Sequence, residues 1–145
     1  ASHEAILCVE KIAGLRDVHA LDRTQIPGCI FTHPQVASIG LTEQKARAAG
    51  FNVNVGKFPF QANGKALALG ESGGFVKTIF NQETGELLGA HMVGHEVTEH
   101  IQGLAIAKYL EATDESLAHV IFPHPTLSEA IHESVLSAMQ RAIHI

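Results

Sequence analysis

Residues 74–80 and 86–93 are strand-length apolar runs on either side of Asn81-Gln82-Glu83-Thr84-Gly85. Such runs read as strands, and a connection of this length is one that hairpins use. They are the clearest strands in the chain, so the rest must be built around a sheet. Residues 52–60, NVNVGKFPF, alternate, with Val53 and Val55 on one face and Asn52 and Asn54 on the other, until Pro59 ends the run. Residues 29–40, CIFTHPQVASIG, hold two short apolar pieces broken by Pro34. A proline there marks an edge or a kink, since it cannot donate to a sheet ladder.

Helical signals surround these strands. Residues 3–13 carry Ile6, Leu7, Val9, Ile12 and Ala13, with Gly14 as the stop. Thr42 caps a short helix that holds Glu43 in its first turn and Arg47 near its end, closed by Gly50. A longer helix spans about 96–110, with Val97, Ile101, Leu104, Ala105 and Tyr109 as its buried stripe, and another lies near 114–119 with Asp114 as N-cap. The last runs to the C-terminus on Leu127, Ala130, Ile131, Val135, Ala138 and Ala142. Residues 15–28 read as a linker, and residues 61–73 as a small, Gly-rich stretch without an assigned element. Strands joined by hairpins, with helices gathered after them, predict an α+β fold in which helices cover an antiparallel sheet.

The charge pattern excludes several partners. Net charge is −5, with no basic stripe for nucleic acid. No apolar run approaches the ~20 residues of a membrane span, and no signal-peptide pattern is present. Charged residues make up only 17% of the chain, which implies surface covered by another subunit or domain. The chain begins at Ala1 without a methionine, so it reads as processed or as part of something longer. Two cysteines, Cys8 and Cys29, make no disulfide framework and read as small buried apolar residues, in keeping with a cytoplasmic setting.

Chemistry concentrates in Phe122-Pro123-His124-Pro125-Thr126-Leu127-Ser128-Glu129. Two prolines bracket His124 and restrict the backbone before each of them. Thr126 and Glu129 have the spacing of a capping box at the start of the last helix. A histidine is thus held on a stiff turn, with a carboxylate on the next helical turn to fix its tautomer. Spacing alone leaves open that Glu129 is only a cap and His124 only a turn residue. Other motifs weaken on inspection. In His95-Glu96-Val97-Thr98-Glu99-His100 the histidines are five apart, about 140° around a helix, where a zinc helix needs four. No metal site is expected. The glycines at 70, 73 and 74 have the wrong spacing for a nucleotide loop and precede a strand, so they read as a turn.

The string HPTLSE at 124–129 resembles the active-site signature of dihydrolipoyl dehydrogenases, in the pyridine nucleotide-disulfide oxidoreductase family. FTHPQVASIGLTE at 31–43, GFVKTIF, LLGAHMVG and GLAIA at 103–107 resemble other segments of that family's C-terminal interface domain. Phe122-Pro123 departs from the His-Ala that many relatives carry, and His33 stands where several have another residue. Leu127-Ser128-Glu129-Ala130 favours the lipoamide branch over glutathione-type reductases.

The resemblance implies residues 1–28 as a helix and linker from the end of a flavin domain, and 29–145 as the interface (dimerisation) domain. It implies His124 as acid–base catalyst, Glu129 as its orienter, and the backbone at His124-Pro125 approaching the partner subunit's flavin. It also implies a cis bond between His124 and Pro125, and a homodimer in which each histidine completes the other subunit's site. FAD, NAD and a redox disulfide belong to the full-length enzyme, which oxidises the dihydrolipoamide of a 2-oxo acid dehydrogenase complex. This 145-residue chain lacks their motifs and is expected to bind neither cofactor and to be inactive alone. Two rivals remain: a stand-alone dimeric interaction module without catalysis, and the same domain of another flavin disulfide reductase.

Overall fold

In the computed structural model, which describes residues 1–145, five strands form one antiparallel sheet. They are β1 (Gly28–Ile30), β2 (Gln35–Gly40), β3 (Val53–Pro59), β4 (Phe75–Asn81) and β5 (Leu87–Gly94), in the order β1-β2-β5-β4-β3. Six helices accompany them: α1 (Ser2–Ile12), α2 (Glu43–Ala48), α3 (Gly64–Leu69), α4 (Val97–Tyr109), α5 (Asp114–Ala118) and α6 (Glu129–Ala138). The α+β expectation holds. The sequence order of the strands does not carry through, because β2 and β3 lie on opposite sides of the β4–β5 hairpin. The chain crosses between them through α2, so α2 and α3 sit among the strands and not after them.

Strand alternation decides which residues meet the helices. The register Ala37–Met92–Val76–Phe58 crosses four strands, and all four residues are buried against the α4 and α6 side. Met92, Val76 and Phe58 join Ile101 and Leu104 of α4 and Ala130, Ile131 and Val135 of α6 in one core. On the opposite face, α2 covers only a corner, where Ala46 packs with Val53, Ile79 and Leu88. An ion pair anchors it there: Lys77 Nζ lies 2.6 Å from Glu43 Oε2, and Arg47 holds the other oxygen at 3.1 Å. The Lys77 bond first, and Arg47 next, keep the Glu43 carboxyl below its ordinary range.

Helix α6 lies unusually close to the sheet at Gly56. A Cβ there would overlap the Ser134 carbonyl oxygen and lie 2.6 Å from the Ala138 nitrogen, both α6 backbone atoms. Thr78, the cross-strand partner of Gly56, donates from Oγ1 to the Ser134 carbonyl at 3.2 Å. Ser134 Oγ is 3.2 Å from Thr78 Oγ1 and 2.9 Å from the Ile131 carbonyl. Both side chains are fully buried, so this small polar seam meets its hydrogen-bonding needs internally.

Several local expectations are corrected. Residues 61–73 contain α3, capped by Asn63, whose Oδ1 accepts from the Ala66 N–H, and closed by Gly70 in the left-handed region (φ 73). Thr113, not Asp114, caps α5, in a capping box with Ser116. On α4 the buried residues are Val97, Ile101, Leu104, Ala107 and Lys108, whereas Tyr109 is exposed. The helical stripe is thus rotated from the expected one, toward β2 and β5. Helix α6 ends at Ala138 and does not reach the C-terminus; Ala142 lies beyond it. Cys8 and Cys29 are both exposed, not buried. The linker at 15–28 includes a one-turn helix at Arg23–Gln25, and β1 already begins at Gly28. No helix is long and apolar enough to cross a membrane.

Candidate active site

The His124 loop is built from hydrogen bonds that the sequence only half announces. Glu129 opens α6, and its carboxylate bridges two groups. Oε2 accepts from the Thr126 N–H at 2.8 Å, and Oε1 meets His124 Nδ1 at 2.9 Å. The first contact is the reach-back half of a capping box; the other half is absent. Thr126 Oγ1 instead donates to the Pro123 carbonyl at 2.6 Å, closing the turn around His124, and the residue at the N-cap position is Ser128. Thr126 therefore braces the loop and does not cap the helix. From α3, the buried Asn63 donates through Nδ2 to the Thr126 carbonyl at 3.0 Å. Sequence reasoning passed over Asn63, although Asn before a helix start is a common cap.

The His124–Pro125 bond is cis, as the resemblance implied, and His33–Pro34, which precedes β2, is cis as well. With Nδ1 directed at the carboxylate, Nε2 of His124 holds the free position. The imidazole is 80% exposed, against 29% for Glu129, so the ring is open to solvent at the mouth of the loop. Burial alone would raise the Glu129 carboxyl and is the largest single influence on it. The Thr126 N–H, the His124 bond and the charges of His124 and His144 together outweigh burial, and the carboxyl ends below its ordinary 4.5. Its bonds are therefore present above that value and are lost as pH falls through the lower folded one.

The loop borders a groove of about 760 Å³ lined by Phe58, Leu67, Phe122, His124, Glu129 and His144, among others. Phe122 stacks on the His132 ring, with centroids 5.1 Å apart, and His132 Nε2 lies 3.0 Å from the Ala118 carbonyl, tying the incoming strand of the loop to α6. Elsewhere, the His95–His100 segment brings no ligand set together, and nowhere do three His, Cys, Asp or Glu side chains converge as for a metal ion. Glu96 sits between them with left-handed backbone (φ 52), and burial favours the neutral form of His100. Gly70 closes α3, and residues 71–74 lead from it into β4.

The fold thus presents a five-stranded antiparallel sheet, covered mainly on one face by α4 and α6, with the His124–Glu129 pair where the loop enters α6. Residues 26–135 match the pyridine nucleotide-disulphide oxidoreductase dimerisation domain, and the chain belongs to that family. It is 59% identical over 144 residues to the dihydrolipoyl dehydrogenase of Zymomonas mobilis, covering 99% of this chain and 31% of the relative. It is also 59% identical to that of Rhizobium etli, covering 99% of this chain and 30% of the relative. Its fold superposes on the HOCl-induced flavoprotein disulfide reductase RclA from Escherichia coli with a TM-score of 0.81 at 25% identity, over 90% of this chain and 30% of that one. The chain thus spans less than a third of the length of these relatives.

Proposed function

We propose that this chain is the dimerisation domain of a dihydrolipoyl dehydrogenase and supplies His124 and Glu129 to the active site of a partner subunit. The observation that carries this is the His124–Glu129 contact of 2.9 Å on an imidazole that is 80% exposed. A base so placed is open both to a substrate and to the surface of a second subunit. Exposed apolar side chains such as Phe31 and Ile121 (78% and 93%) support a covered surface and hence a homodimer. Helix α1 buries no residue within this chain, which supports assigning residues 1–28 to the end of a preceding flavin domain and 29–145 to the dimerisation domain.

In this reading Nε2 of His124 takes the proton from one thiol of dihydrolipoamide, carried by a 2-oxo acid dehydrogenase complex. The thiolate would then attack one sulfur of the enzyme disulfide of the full-length protein, breaking its S–S bond and releasing the other cysteine as a thiolate. The second thiol would displace the mixed disulfide, to leave the cysteine pair reduced and the lipoyl ring closed. Glu129 holds the ring in the productive tautomer and stabilises its cationic form. FAD and NAD, where bound by the full-length protein, would take up the electrons from the reduced cysteine pair. The His124 main-chain N–H and carbonyl have no hydrogen-bond partner within the chain and stand at the exposed loop, which fits an approach of His124-Pro125 to the partner's flavin. A cytoplasmic setting, with its reducing thiols, suits the two free cysteines.

The Glu129→Gln variant of the full-length protein tests the pair. Glutamine keeps the shape and one acceptor but loses the charge. The expected result is a fall in kcat on the order of tenfold, a fraction of a full acid–base contribution, with flavin content unchanged. A fully active Glu129→Gln enzyme would remove Glu129 from the mechanism.

A further inference from the structure

A second histidine–glutamate pair stands one helical turn further along α6. Glu133 is 5% exposed, and its carboxylate is filled entirely from residues beyond the helix. Oε1 meets His144 Nδ1 at 2.7 Å, and Oε2 accepts from the backbone N–H groups of Ile143 and His144 at 3.1 and 3.4 Å. A buried carboxylate without partners is costly, so this one fixes the segment that supplies them. Gln140, in the left-handed region (φ 59), turns the chain back after α6 and makes the return possible. Ile143 and His144 then line the same groove as His124 and Glu129, and the His144 charge acts on Glu129.

We propose that Glu133 is a positioning residue. By clamping Ile143 and His144 it holds them as one wall of the groove beside His124, and that wall sets how the hydrocarbon arm of the thiol substrate is seated. The proposal rests on the function given above. Phe58, Leu67, Phe122 and Ile143 make the groove largely apolar, which suits a flexible alkyl chain that carries a dithiol. The clamp touches neither the reacting thiol nor His124, and the His144 charge is the least of the influences on Glu129, so loss of the clamp acts chiefly on binding.

Glu133→Gln, His144→Ala and the double variant, made in the full-length protein, test it with free dihydrolipoamide as substrate. Glu133→Gln is expected to raise KM about fivefold with kcat within about twofold, His144→Ala, which keeps the two backbone N–H bonds to Oε2, to raise it by less, and the double variant to match Glu133→Gln. Hydrogen exchange of the peptide containing residues 140–145 should quicken in all three. His144 is 64% exposed in its side chain, so His144→Ala gives a folded protein even where Glu133→Gln does not. Unchanged KM in variants whose tail exchange has quickened overturns the proposal. So does a fall in kcat at constant KM, which would place the clamp in the chemistry. A fully active His124→Ala enzyme would instead overturn the underlying function, so the two failures are separately visible.

Discussion

Replacing His124 by alanine in the full-length protein is expected to lower the rate of thiol oxidation by about 10²- to 10⁴-fold, the usual contribution of a positioned acid–base group. Assembly and flavin content should stay near wild type. The side chain is 80% exposed and carries none of the bonds that shape its loop, apart from the one to Glu129. The turn is closed by Thr126 and Pro123 and braced by Asn63, and these persist in the variant. The loss should fall on kcat more than on KM, because the imidazole acts on the proton in flight. Stopped-flow reduction by dihydrolipoamide measures the step directly. A variant that is equally slow but has also lost its flavin or its dimer would point to a structural role.

The largest stability effect is expected at Gly56. Gly56→Ala forces a methyl group into the α6 backbone at Ser134 and Ala138, neither of which has a flexible side-chain end to yield. The helix must shift, or the strand must bend, and the Thr78–Ser134 seam breaks with either. A cost of about 3 kcal/mol is expected, at the upper end for overpacking in a tight core. Gly103→Ala on α4 is the control: nothing lies within 4 Å of where its methyl group would stand, so alanine should stabilise the helix by about 0.5–1 kcal/mol. Urea midpoints of the two variants should therefore move in opposite directions. A Gly56→Ala midpoint equal to wild type would show that α6 does not sit on β3 as closely as described.

Legibility in the sequence followed the range of the interactions. Strands β4 and β5 could be read because each run is apolar and the turn between them is local. The crossover from β2 to β3 could not, since strand order is set by how α2 crosses the sheet, and no residue in 41–52 records that path. Helix α3 was hidden by its glycines, although Asn63 and Gly70 bracket it with an ordinary cap and stop. The end of α6 was overrun because Ala142 continues the apolar period; what stops the helix is the turn at Gln140 and the pull of Glu133 on Ile143 and His144. The same held at the candidate site. His124 and Glu129 are five residues apart, and their pairing could be anticipated from a motif. Asn63 is sixty-three residues from Thr126, and only folding brings its amide to that carbonyl.

Whether the site is shared between subunits is best tested with hybrid dimers of two inactive full-length variants. One carries His124→Ala, and the other has its disulfide cysteines replaced by serine. Each homodimer is expected to be inactive. In the hybrid, one site keeps both the disulfide of one subunit and the His124 of the other, so activity should recover to about half of wild type per dimer if catalysis runs across the interface. Hybrids shown to form, yet no more active than their parents, would contradict that arrangement and confine His124 to its own chain.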